Sequence, residues 1–180
     1  MIITASPIAG AYLIDIEAQH DARGFFARIV CRDEFTAHGL AANFVQQSLS
    51  WNAKRATLRG LHWQAAPHGE VKLVRAVRGA LYDVIVDLRP DSPGYGRWFG
   101  VELNEENRRA IYIPPGCAHG FQTLRDDTEL LYQMTVPYCA EAARGLRWND
   151  AHLAIRWPLA DEAIVSARDA ALPCWPPSAT

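Results

Sequence analysis

The hydrophobic positions of this chain fall in short runs rich in Val, Ile, Leu and aromatic residues, and several runs alternate with polar positions. Such patterning predicts strands over 11–16, 25–31, 44–51, 57–63, 71–78, 81–88, 98–103, 110–113, 119–123 and 130–136. Turn chemistry separates them: Asp21-Ala22-Arg23-Gly24, Pro67-His68-Gly69, Arg78-Gly79, Arg89-Pro90-Asp91-Ser92-Pro93-Gly94 and Pro114-Pro115-Gly116. Many short strands with frequent turns predict an all-β sandwich or barrel. Helical periodicity is scarce, with one short helix over 32–39 and a turn or two over 149–152 and 166–171. No repeat and no linker divides the chain, so 1–180 reads as a single domain. The tail from about 173 holds three prolines and is expected to be loose.

Composition narrows this further. The chain has 180 residues, 49% of them hydrophobic and 21% charged. Those values exclude disorder over most of its length. The net charge of −2 lacks the basic excess of a protein that grips nucleic acid. No apolar run reaches the ~18 residues of a membrane helix. The N-terminus carries no positive charge ahead of its apolar stretch, so a signal peptide is not expected. The four cysteines, Cys31, Cys117, Cys139 and Cys174, form no C-x-x-C motif. Free thiols in a cytoplasmic protein are the expectation.

Strand parity brings chemistry into the picture. His62 and Gln64 share a face, as do Lys72, Val74 and Ala76. Leu81, Asp83, Ile85 and Asp87 share another, and Tyr132, Met134, Val136 and Tyr138 a fourth. Each polar residue taken singly reads as an ordinary surface or turn group. His20, His38, His68 and His152 keep that reading, and Asp87 reads as the start of a turn. As a set, His62, Lys72, Asp83, His119 and Tyr132 imply a pocket, because buried charges need partners.

Two segments look like the paired motifs of cupins, the small jelly-roll barrels. Pro114-Pro115-Gly116-Cys117-Ala118-His119 has the P-x-G-x-x-H form, and His62-Trp63-Gln64 precedes Lys72 and Gly79. Metal-binding cupins carry His-x-His and Glu at the first set of places. Here Gln64 and Lys72 stand at two of them, and an ammonium has no lone pair for a cation. The cavity therefore suits an organic anion and proton transfer. A metal-dependent cupin is the weaker reading, and no metal ligands are assigned.

A longer string of motifs is more specific. It comprises Asp21-x-Arg23-Gly24-Phe25-Phe26, Leu58-Arg59-Gly60-Leu61-His62-Trp63-Gln64, Lys72-Leu73-Val74, Asp83-Val84-Ile85-Val86-Asp87-Leu88-Arg89 and Ser92-Pro93. It continues through Ile113-Pro114-Pro115-Gly116-Cys117-Ala118-His119-Gly120-Phe121, Tyr132, Tyr138, Trp148-Asn149-Asp150, Ile155-Arg156-Trp157-Pro158 and Ser166-Ala167-Arg168-Asp169. Over nearly the whole chain this resembles the dTDP-4-dehydrorhamnose 3,5-epimerase family. The resemblance implies a jelly-roll with a few short helices and a homodimer sharing its N-terminal strands. It also implies no cofactor and a nucleotide-linked 4-keto-6-deoxy sugar as substrate. By the same resemblance His62 is the base, oriented by Asp169, Lys72 stabilises an enolate at the C4 oxygen, and Tyr132 is the acid. His119 paired with Asp83 helps hold the site. Tyr138 flanks the substrate, Arg59 and Arg168 meet the diphosphate, and Arg23 and Gln46 complete the substrate-binding set.

Simple alternation puts Arg59 on the face opposite His62, so its role requires a bulge at Gly60. The resemblance departs from the usual pattern at Gln19, Arg28 and Ser48, places it puts at or near the base. CDP- or GDP-linked sugars therefore stand as alternatives to dTDP. Action at C3 or C5 alone, ketoisomerisation and a non-catalytic sugar-nucleotide-binding cupin are the remaining alternatives.

Overall fold

The structure is a computed structural model, and it describes residues 1–175. In chain order its strands are β1 (Ile2–Ala5), β2 (Tyr12–Asp15), β3 (Gln19–Asp21), β4 (Gly24–Phe26), β5 (Gln46–Asn52), β6 (Thr57–Gln64) and β7 (Lys72–Arg78). They continue with β8 (Ala80–Asp87), β9 (Trp98–Asn104), β10 (Ala110–Ile113), β11 (Cys117–Thr123), β12 (Thr128–Met134), β13 (Ala143–Gly145) and β14 (Ile164–Val165). Two short helices are α1 (Arg32–Ala37) and α2 (Ala167–Ala170). One sheet runs β1-β2-β10-β7-β12-β5, and the other β13-β6-β11-β8-β9 with β14 beside β6. Packed face to face they form an all-β jelly-roll of the cupin kind.

The central strands β8, β10 and β11 are buried on both faces, which explains their near-continuous apolar runs. Leu81 and Ile85 of β8 meet Val74, Ala76, Ile111 and Leu130 between the sheets. Val84 and Val86, of opposite parity, face outward and are covered by Leu146, Leu153 and Trp157 of the C-terminal segment. Phe35 of α1 and Leu40 cover the outer face of the first sheet over Leu73, Ala110 and Tyr112. The same parity carries Lys72, Asp83, His119 and Tyr132 into the space between the sheets. Asp87 shares the face of Asp83 but serves a turn. Its carboxylate accepts from Arg89 Nε at 2.8 Å, Arg89 Nη2 at 2.7 Å and Ser92 Oγ at 2.5 Å.

The bulge required by Arg59 is present. His119 lies opposite His62 and Phe121 opposite Arg59, so Gly120 of β11 opposes two residues of β6, Gly60 and Leu61. Leu58 and Leu61, an odd spacing, both face the outer cluster, which returns Arg59 and His62 to the same inner side. Gly60 at the bulge has φ +116°, and a Cβ there would stand 2.6 Å from Gly120 Cα and 2.8 Å from the His119 carbonyl. Only glycine fits.

The β1 strand pairs with β2, and β2 with β10, in the first sheet. Two expectations change. The strand over 25–31 shrinks to Gly24–Phe26, which pairs with β3 in a separate two-stranded hairpin. The tail is held over its first residues: the Pro173 carbonyl accepts from Arg147 N–H at 2.8 Å, and Asp150 Oδ2 from Trp175 N–H at 2.6 Å. The rest of the expected loose tail, 176–180, lies outside the described residues.

Candidate active site

A cavity of about 410 Å³ opens between the sheets, lined by Arg59, His62, Lys72, His119, Tyr132 and Asp169 among others. Smaller lobes of about 220 and 190 Å³ adjoin it at Lys72 and reach Tyr138. His62 comes from β6 in one sheet, whereas Lys72 and Tyr132 come from β7 and β12 in the other. A molecule between the sheets therefore meets His62 on one side and Tyr132 on the opposite side.

His62 is the more open member of its pair, its side chain 44% exposed against 7% for Asp169. Its Nε2 lies 2.9 Å from Asp169 Oδ1. A carboxylate only accepts, so Nε2 carries the hydrogen and Nδ1 keeps the lone pair. The second oxygen of Asp169 accepts the Gly60 N–H at 3.2 Å. Ser166 caps α2 by accepting the Asp169 N–H at 3.1 Å, which fixes the backbone that carries this carboxylate. Burial lowers the pKa of His62 below the ordinary imidazole value. The charge and hydrogen bond of Asp169 pull it back up, and the positive charges of Lys72 and His119 lower it.

Behind this pair, His119 Nε2 donates to Asp83 Oδ2 at 2.8 Å, both side chains being buried. Burial raises the Asp83 pKa, opposed by His119 and Lys72. The His119 ring stands edge-on to Tyr132, centroids 5.8 Å apart. Burial and then the Asp83 charge raise the Tyr132 pKa, with Arg59 opposing. The phenol therefore holds its proton throughout the working pH range.

Lys72 Nζ donates to the His62 carbonyl at 3.2 Å and pairs with Glu70 Oε1 at 2.8 Å. Arg59 is steadied by Asn52 Oδ1 at 2.8 Å and faces the same cavity as Arg168 of α2. Gln46 accepts the Tyr138 N–H at 2.7 Å, and both residues line the smaller lobe. The Gln64 amide is consumed by the His68 and Pro137 carbonyls and the Cys139 N–H. Among the described residues no three His, Cys, Asp or Glu converge to hold a metal ion.

One expected residue is not brought here. Arg23 lies on the β3–β4 hairpin, its side chain 89% exposed and paired with Asp21 at 2.6 Å. The hairpin's strands pair only with each other, so nothing within the chain carries Arg23 to the cavity. Gln19 and Arg28 are also elsewhere, around a surface hollow with Met1, Glu17 and Glu34, while Ser48 does line the main cavity. Two residues with roles here were not singled out from sequence, Glu70 and Asn52. The Glu70-x-Lys72 spacing was the available signal, since it puts both groups on one face where β7 begins.

Fold and site together define a protein on a cupin scaffold whose cavity gathers groups able to take, give and hold protons. Comparison with known proteins agrees. The family model of dTDP-4-dehydrorhamnose 3,5-epimerase matches residues 5–176, and this chain belongs to that family of isomerases. It is 40% identical over 173 residues to the enzyme of that name from Sinorhizobium fredii, covering 96% of this chain and 89% of the relative. The Bacillus anthracis enzyme, solved with TDP and PPi bound, superposes with a TM-score of 0.93 at 38% identity, covering 96% of this chain and 98% of that one. The Legionella pneumophila enzyme, solved with dTDP-4-keto-L-rhamnose, gives 0.90 at 35% identity over 96% and 92%. No helix among the described residues is long and apolar enough to cross a membrane.

Proposed function

We propose that the chain inverts C3 and C5 of a dTDP-linked 4-dehydro-6-deoxy-hexose in the cytoplasm, as a homodimer, without a cofactor. The observation that carries this reading is a base and an acid facing one cavity from opposing sheets, with an ammonium beside them. A ketone at C4 acidifies the neighbouring C–H bonds. His62 Nδ1 takes the proton, and the C–H electron pair becomes the C=C bond of an enolate. Negative charge gathers on the C4 oxygen, where Lys72 stabilises it. The enolate carbon then takes the Tyr132 hydroxyl proton on its opposite face, restoring the ketone with inverted configuration. The imidazolium gives its proton to solvent, to which His62 is open, and the phenolate regains one.

Arg59 and Arg168 supply guanidinium donors for the diphosphate. Ser48, Gln46 and Tyr138 are placed to meet the remainder of the nucleotide. The exposed β3–β4 hairpin, with Phe26 74% exposed, is the element free to carry Arg23 to a second copy's cavity. Sedimentation at about twice the chain mass together with faster turnover of the dTDP sugar than of its CDP and GDP counterparts is expected. A monomer, or preference for another nucleotide, overturns the corresponding part.

The pH profile follows from the His62 environment. The base must be neutral, so activity is lost as pH falls through the His62 pKa. Because that value is lowered, the acid limb of kcat/KM is expected below the ordinary imidazole value near ~6.5. Asp169→Asn removes the two contributions that raise it, so the limb should move lower still. Turnover should fall about a hundredfold as ring orientation is lost. An acid limb that stays put or moves up in this variant contradicts the pairing.

A further inference from the structure

Glu70 stands two residues before Lys72, at the end of the turn that enters β7, with its side chain only 6% exposed. One oxygen, Oε1, lies 2.8 Å from Lys72 Nζ. The other, Oε2, is buried and without a hydrogen-bond partner among the described residues. Burying a carboxylate with one oxygen unsatisfied is costly, and a purely structural carboxylate avoids that cost by using both oxygens, as Asp87 does here.

The turn itself does not depend on Glu70. Val71 N–H donates to Thr135 Oγ1 at 3.0 Å and the Val71 carbonyl accepts from Thr135 N–H at 3.2 Å. His68 is tied at both ends, its N–H to the Ala65 carbonyl at 2.9 Å and its carbonyl to Gln64 Nε2 at 3.0 Å. Of the other buried carboxylates, Asp169 is bonded through both oxygens, to His62 and to the Gly60 N–H, while Asp83, behind His119, is bonded to it through Oδ2 and leaves Oδ1 without a partner among the described residues. Glu70 is thus the one acid in the cavity whose ionic partner is Lys72 alone.

We infer that Glu70 is a positioning residue for catalysis, acting through Lys72; this rests on the epimerase reading above. An ammonium has three N–H donors. The His62 carbonyl accepts one of them at 3.2 Å, and the Glu70 carboxylate holds Nζ from another side as an ion pair at 2.8 Å. Held between these two partners, the ammonium keeps its position, with a donor left for the substrate's carbonyl oxygen. Without Glu70 the lysine keeps its charge but loses its aim. Misplacing a catalytic group costs rate far more than it costs binding of the nucleotide.

The test measures kcat, KM and dTDP affinity for Glu70→Gln and Glu70→Ala, each alone and in a Lys72→Ala background, with the unaltered protein alongside. Glu70→Ala is expected to lower kcat at least about tenfold. Its dTDP dissociation constant should stay within about threefold, since Arg59 and Arg168, the donors for the diphosphate, are unchanged. Glu70→Gln, whose amide oxygen keeps a polar partner beside the ammonium, should lose clearly less. In the Lys72→Ala background neither substitution should cost more than about twofold further, since the residue it acts through is gone. Full activity in Glu70→Ala overturns the inference, and so do losses that multiply with Lys72→Ala. A parallel fall of kcat and dTDP affinity in the near-isosteric Glu70→Gln would assign Glu70 to the fold instead. An unaltered protein that fails to turn over the substrate removes the epimerase reading and this inference with it. An active one with active Glu70 variants removes this inference alone.

Discussion

His62→Ala is expected to lose about 10³-fold in turnover, within the range assigned to a positioned general base. The same variant should stop deuterium from entering C3 and C5 in D2O, because no other group in the cavity can take its place. Asp169 has its two oxygens committed to the imidazole and to the Gly60 N–H. His119 is tied to Asp83 and nearly closed off, its side chain 6% exposed. Affinity for dTDP should change little, since Arg59 and Arg168 remain in place. Exchange continuing at the unaltered rate would mean that another group removes the proton.

Tyr132→Phe should separate two events that the unaltered enzyme performs together. Inversion should fall about a hundredfold, the lower range for loss of a general acid. Deuterium should still enter the substrate with its configuration retained, because His62 can take a proton and return one from solvent to the same face. This asymmetry follows from the placement of the two groups on opposing sheets. Proton NMR of recovered substrate and product, after incubation in D2O, reads both events in one sample. If exchange and inversion fall in step, Tyr132 is needed to form the enolate and the division of labour between the sheets is wrong.

Much of this site could be read from strand parity. Lys72, His119 and Tyr132 face the cavity because each shares a face with core residues of its own strand, and Asp83, on the same inner side, lies buried behind His119. Arg59 broke the alternation, and the break itself pointed to Gly60, where two residues of β6 oppose one of β11. The union of His62 with Asp169 spans 107 residues of sequence. No local pattern contains it, and only the likeness to a family supplied it.

The misses have physical causes as well. Residues 25–31 are apolar enough to resemble a strand, yet the structure leaves most of that run unpaired and holds only Gly24–Phe26 against β3. Arg23 travels with that hairpin, and a single chain's sequence does not say where an exposed hairpin comes to rest. The strands β13 and β14, of three and two residues, are too short to show a period. Glu70 lay in a segment read as turn, where a charged residue reads as solvated, and only the packing around it reveals that it is buried.

The decisive measurement is incubation of the unaltered protein in D2O with dTDP-4-dehydro-6-deoxyglucose, following C3 and C5 by NMR and mass spectrometry. Two deuteriums should enter, one at each carbon, with both centres inverted in the product. Label at a single carbon would contradict 3,5-epimerisation, and no label at either would contradict base-catalysed enolisation at His62.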